Sequence, residues 1–160
     1  MAKTLSTLPQ LRMPTEAGLY RQLKTANKSR RNWVLTRIEN WVGQGIPDLL
    51  ACDELGGLHF VELKFCKANA VNLSPYQVAW LTRHRKSSSW VLVKRQARAD
   101  VKATLHLYSA SQAIALAEDG LKTPSIGSFE HPFDWSKVFS LISPISVSYT
   151  HLTLPTIYSV

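Results

Sequence analysis

Residues 45–52 read Gly45-Ile46-Pro47-Asp48-Leu49-Leu50-Ala51-Cys52; after a Gly56-Gly57 turn, residues 59–65 read His59-Phe60-Val61-Glu62-Leu63-Lys64-Phe65. Apolar runs of strand length on either side of a glycine turn predict a β-hairpin. Side chains alternate along a strand, so Glu62 and Lys64 are expected on one face and Val61, Leu63 and Phe65 on the other. A turn about Leu55 and Gly56 sets Asp48 almost opposite Glu62, where cross-strand Cβ atoms lie about 4.5–5.5 Å apart. Three charged groups then share one face of an otherwise apolar hairpin, which costs stability unless something is bound there.

Facing carboxylates can share one cation. Carboxylate oxygens suit hard divalent ions, and a site with one or two of them typically takes Mg²⁺, which keeps waters and accepts phosphate oxygens. Such an ion can generate a hydroxide nucleophile and clamp the charge developing on a phosphate. Lys64, one step along the same face, can orient that water or offset charge on the phosphorus.

Pro47-Asp48 followed by Glu62-x-Lys64 on the next strand resembles the PD-(D/E)XK nuclease superfamily. Within it, Gly-Ile-Pro-Asp-Leu-Leu, Phe-Val-Glu-Leu-Lys and Ser74-Pro75-Tyr76-Gln77 are most similar to the virus-type replication-repair nuclease (VRR-NUC) group and its relatives, the Holliday-junction resolvases; the resemblance covers residues 15–95. It implies an α/β fold with a restriction-endonuclease-like core: helix, three-stranded meander, helix, strand. It also implies Mg²⁺ (or Mn²⁺) held by Asp48, Glu62, the backbone carbonyl of Leu63 and, often through water, Glu16 on the helix before the first strand. Gln77 would lie beside the active site. Read without the family, Glu16 is an acid suited to the positive end of a helix, and Gln77 is the capping-box partner of Ser74. Glu39 rivals Glu16 as the third carboxylate, with Arg37 as an alternative local partner.

The chain has 160 residues, is 45% hydrophobic and carries a formal net charge of +8. That length predicts one domain with a real core. The charge favours a polyanionic partner, nucleic acid before a membrane surface. No apolar run reaches the length of a membrane span, and the N-terminus lacks the apolar core of a signal peptide. Cys52 and Cys66 fit buried, reduced thiols in a cytoplasmic protein, and the family resemblance suggests a bacterial or phage-infected cell.

Residues 1–14, with Pro9 and Pro14, are expected to form a flexible arm. Thr15 caps a predicted helix over 16–28, and 27–32 reads as a basic linker. A strand is expected over 33–41. Asp53 and Glu54 fall at the hairpin tip as solvated turn residues. A helix over 75–85, strands over 89–94 and 104–108, and a helix over 111–117 ending at Gly120 complete a nuclease domain over 15–120. Residues 121–144 are expected to form a C-terminal wrap, irregular over 123–135, which is rich in Pro, Gly and Phe. Residues 147–156 read as the translated adapter of a transposon-based sequencing library, so 145–160 is expected to be a non-native tail.

The resemblance implies a Mg²⁺-dependent DNA endonuclease; branched DNA such as a Holliday junction and a setting in phage or bacterial replication, repair or recombination are compatible with it but do not follow from the spacing. Lys28, Arg30, Arg31, Arg83 and Arg85 are the expected DNA contacts, and the family implies a homodimer. His84 reads as an exposed member of a basic run. The alternative is a non-catalytic basic nucleic-acid-binding module, in which Glu62–Lys64 is a strand-face ion pair and Asp48 a turn acid. An RNA nuclease stays open as well.

Overall fold

A computed structural model of the chain describes residues 15–39 and 43–144. The expected arm over 1–14, the expected tail over 145–160 and the end of the strand expected over 33–41 lie outside the described residues.

Thr15 accepts a hydrogen bond from the Gly18 amide and opens α1 (Glu16–Arg30), which buries Leu19, Leu23 and Ala26. The helix runs past the expected boundary at Lys28, so Arg30 too lies in its last turn rather than in a linker. Asn27 explains the ending: its side chain donates to the Trp33 carbonyl (2.9 Å) and accepts from the Trp33 amide (2.8 Å). Its carbonyl takes the amides of Arg31 and Asn32.

Strands β1 (Val34–Arg37), β2 (Leu49–Cys52) and β3 (Leu58–Cys66) form an antiparallel meander. Helix α2 (Pro75–Arg83) crosses to β4 (Ser89–Arg95), parallel to β3. Strand β5 (Thr104–Ser109) then pairs antiparallel with β4. A 3-10 turn over Ala110–Gln112 leads into α3 (Ala113–Asp119).

The segment expected to be irregular, 123–135, contains a strand, and the wrap over 121–144 ends in a helix. These are β6 (Gly127–Glu130), paired with β5, and α4 (Trp135–Ile142). Trp135, Val138, Phe139 and Ile142 recur at helical spacing and are buried against the sheet, with Asp134 capping the helix. The sheet order is β1-β2-β3-β4-β5-β6. One face packs Val61, Leu63, Leu92, Leu105 and Leu107 with residues of α1 and α4. The other packs Val91, Val93 and Tyr108 with Trp80, Leu81 and Leu116 of α2 and α3. Strand β4, covered on both sides, accordingly reads as a continuous apolar run. Among the described residues no helix is long and apolar enough to cross a membrane.

Candidate active site

The hairpin register places Leu49 opposite Val61, so Asp48, one residue before β2, stands opposite Glu62. Strand β3 has nine residues and β2 only four, so 62–66 run on beyond their partner on that side. Asp48 fills part of the gap: its carboxylate accepts the Leu63 amide at 3.1 Å. A strand residue presents its N–H and C=O to the same edge, so the Leu63 carbonyl faces that opening too.

The loop before Asp48 is held against α2. Gly45 has φ +89°, and a Cβ there would collide with the Tyr76 carbonyl in the first turn of α2. Only glycine meets both demands. Pro47 is buried and restricts the backbone just ahead of Asp48. The Asp48 carbonyl accepts the Ile38 amide at 2.8 Å, extending the β1–β2 pairing to the site.

Glu62 is 1% exposed. Its Oε1 receives the Gln77 amide nitrogen and lies 3.2 Å from the Lys64 ammonium. Its Oε2 is buried with no hydrogen-bond partner among the described residues. Burial, then the charge of Asp48, pushes the Glu62 carboxyl up to about 7, against the opposing pull of Lys64. Gln77 is the expected capping-box partner of Ser74, and its side chain also reaches Glu62. Its carbonyl oxygen accepts the Ser74 amide (3.0 Å) in a complete capping box, leaving the amide nitrogen for Glu62.

Glu16 opens α1 and comes within 3.9 Å of Lys64. Desolvation raises its carboxyl, the charges of Lys64 and Arg37 lower it and that of Asp48 raises it, so it shares the field of the cluster. Its side chain is about half exposed. Glu39 is exposed beyond β1. Two carboxylates, a third at the rim, a lysine and an edge carbonyl therefore converge. Among the described residues no group of three or more His, Cys, Asp or Glu side chains is arranged to hold a metal by itself. The donor set fits an ion that takes one or two carboxylates and completes its shell with water and substrate. The partnerless Glu62 oxygen is the atom such an ion would satisfy.

The expected DNA contacts are spread out. Lys28 and Arg30 are exposed on the last turn of α1; Arg83 and Arg85 are exposed at the end of α2. Arg31 is engaged structurally, 3.3 Å from Glu54 and 2.7 Å from the Ser140 hydroxyl. His84 is exposed, as expected, and its ring stacks on Trp80 at 3.8 Å while its Nδ1 meets the Trp80 carbonyl.

Asp53 is not the solvated tip residue expected. It accepts from the amides of Leu55 and Gly57, the Ser143 hydroxyl (2.6 Å) and His59 Nε2 (2.8 Å). Glu54 is exposed, as expected, and accepts the Trp33 indole at 2.6 Å. His59 Nδ1 meets the Ser88 hydroxyl at 2.6 Å, and its ring stacks on Trp33. This network ties the hairpin tip to the end of α4, a contact that no local pattern announces.

No protein-family model matches the chain, and no curated protein matches its sequence.

Proposed function

We propose that the chain is a divalent-metal-dependent endodeoxyribonuclease whose core is of the restriction-endonuclease type. The observation that carries this reading is the buried, partnerless Oε2 of Glu62, a residue that stands opposite Asp48 and has Lys64 beside it. A purely structural ion pair would fill the oxygens of both partners, since an orphaned buried acceptor costs about 1–3 kcal/mol. The order α1, β1–β2–β3, α2, β4 agrees with the core expected of such nucleases.

Asp48, Glu62 and the Leu63 carbonyl would hold Mg²⁺ or Mn²⁺, with Glu16 reaching it through water. When bound, the ion would lower the pKa of a water and neutralise phosphate charge. Gln77 and Lys64 keep Glu62 in place through its other oxygen. Lys64, between Glu62 and Glu16, orients the attacking water and offsets charge on the phosphorane. The water oxygen bonds to phosphorus as the P–O3′ bond breaks, leaving 5′-phosphate and 3′-hydroxyl ends. The excess of cations supports a nucleic-acid partner. Branched DNA, pairing of two copies to cut both strands, and a phage or bacterial setting belong to the same proposal.

The test incubates the protein with linear, supercoiled and four-way-junction DNA in Mg²⁺, in Mn²⁺ and in EDTA. We expect metal-dependent cleavage, abolished in Asp48→Ala and Lys64→Ala. Salt-sensitive binding without cleavage in either metal would replace this reading with the non-catalytic module.

A further inference from the structure

The parallel pairing of β3 with β4 decides which cations stand at the carboxylate end of the sheet. Its register sets Lys64 beside Val93 and Cys66 beside Arg95. Residues two apart on a strand share a face, so Arg95 lies on the face of Glu62 and Lys64, diagonally from Lys64. Two residues along a strand and one strand across put the Cα atoms of Lys64 and Arg95 roughly 8 Å apart. The cations expected to meet DNA lie elsewhere. Helix α1 begins at Glu16 and carries Lys28 and Arg30 about 18–21 Å away from it. Helix α2 begins beside Gln77 and carries Arg83 away in the same manner, with Arg85 beyond its end.

Arg95 lines a cleft of about 130 Å³ with Ala68, Asn69, Gln96, Arg98 and Val101, where the chain leaves β3 and β4. Drug-sized ligands take about 300–1,000 Å³ and a liquid water about 30 Å³, so the space suits an oxyanion with a few waters. Backbone bonds fix its walls. The Gln96 amide donates to the Cys66 carbonyl (2.9 Å), the Leu121 amide to the Asn69 carbonyl (2.8 Å) and the Arg98 amide to the Val101 carbonyl (2.8 Å). The Arg98 guanidinium donates to the Lys67 carbonyl at 3.0 Å, which ties its side chain to the loop after β3. No acid lines the cleft, and among the described residues neither arginine is in a salt bridge. Asp100, in the turn beside Arg98, is exposed. Arg95 is partly buried. Burial raises the Cys66 thiol and lowers His106, with the charge of Arg95 pulling both down, and neither group is an anion at neutral pH. A partly buried guanidinium with no anion is costly. Two guanidiniums and two neutral amides around a space of this size are the donor set that phosphate requires.

We propose that this cleft seats a backbone phosphate of the DNA on Arg95 and Arg98, within about two nucleotides of the bond that is cut, the reach of roughly 8 Å at 3.4 Å per nucleotide. The inference deepens the nuclease reading and rests on it for the position of the cut bond, but not for the seating of a phosphate.

Binding of a fluorescent DNA duplex to the full chain, in EDTA so that nothing is cut, tests it across a salt series. We expect Arg95→Gln/Arg98→Gln to bind about tenfold more weakly. Its salt slope should be shallower by about 0.9, the value for one phosphate contact on a duplex. Arg98→Glu, a change on an exposed side chain, should weaken binding without altering the melting temperature. Arg83→Gln/Arg85→Gln removes as much charge from the end of α2 and should leave the affinity nearly unchanged. Inorganic phosphate at millimolar concentration and constant ionic strength should leave the duplex bound. In Mg²⁺, a neutral methylphosphonate placed at one phosphate after another should slow the wild type at a position within about two nucleotides of the cut, and cost the double variant nothing further there. Wild-type affinity in the double variant, an equal loss in Arg83→Gln/Arg85→Gln, or no binding by the wild type overturns the inference. Release of the duplex by inorganic phosphate overturns it too, making the cleft a site for a free oxyanion. Cleavage separates the two claims. A double variant that cuts at the full rate loses the seat and keeps the nuclease. A wild type that binds through Arg95 and Arg98 and cuts nothing keeps the seat and loses the nuclease.

Discussion

One hairpin buries two carboxylates at its two ends, and they are treated in opposite ways. At the tip, Asp53 accepts from two backbone amides, a serine hydroxyl and a histidine. The Ser143 hydroxyl above all, with His59 and the amides of Gly57 and Leu55, holds its carboxyl well below the usual range. At the open end of β3, Glu62 keeps one oxygen without a partner and its carboxyl is pushed up. Burial is therefore not the distinguishing property. Completeness of hydrogen bonding is. A saturated acid fastens chain segments together, whereas an unsaturated one beside a second acid and a lysine holds free energy available to a bound cation.

The largest contrast comes from neutralising each acid in turn. Glu62→Gln should cut metal-dependent cleavage about a thousandfold, near 4 kcal/mol in the barrier, with the melting temperature unchanged or raised. Asp53→Asn should leave the rate of the folded protein within a few-fold. It should destabilise by about 2–4 kcal/mol, because a carboxylate with four donors becomes an amide that cannot accept from all of them. Denaturant melts and cleavage rates on the same preparations decide it. If both variants lose activity and stability in parallel, the two ends do not differ as argued.

The hairpin was legible because its determinants are local: alternation along β3, the glycine turn, and the register they impose on Asp48 and Glu62. Gln77 was legible for the same reason, since capping-box spacing puts its side chain at the start of α2. What escaped depends on contacts distant in sequence. Asp53 looks like a solvated turn acid until Ser143 and His59 close over it, and Ser143 is 90 residues away. The cleft joins Asn69 to Arg95 and Arg98, which no short window contains. Helix α4 was a different failure. Trp135, Val138, Phe139 and Ile142 carry the helical period, but the Pro132 and Gly127 before them drew the reading towards a loop.

The next prediction sets the two acids against each other in pH. For Glu62 the folded value, about 7, exceeds the unfolded 4.5, so the folded protein keeps a proton that the unfolded chain releases. Its contribution to stability is fully present below pH 4.5 and is lost as pH rises through 7, about 3 kcal/mol in all. Asp53 has the opposite sign: its folded value lies below 3.8, so its stabilisation is present above that pH and is lost on stronger acidification. Without divalent metal, Glu62→Gln should flatten the loss between pH 4.5 and 7.5 and leave the acid limb intact; Asp53→Asn should weaken the acid limb alone. A wild-type stability that rises steadily from pH 4.5 to 7.5 would contradict the burial assigned to Glu62.

The smallest effect follows from the same carboxyl. A cation binds the ionised form of Glu62, so it should stabilise the fold most where the proton has already left. For a Kd of about 1 mM, 10 mM Mg²⁺ adds about 1.4 kcal/mol, a rise of roughly 3–6 °C in melting temperature for a chain of this size. The rise should be present at pH 8, much reduced at pH 5, and absent in Asp48→Ala at either pH. Asp53→Asn, melting lower, should show the same increment as the wild type, because its carboxylate has no oxygen to offer. An equal rise in Asp48→Ala would mean that the ion stabilises the chain somewhere other than the open end of β3, and the distinction between the two acids would then lose its functional half.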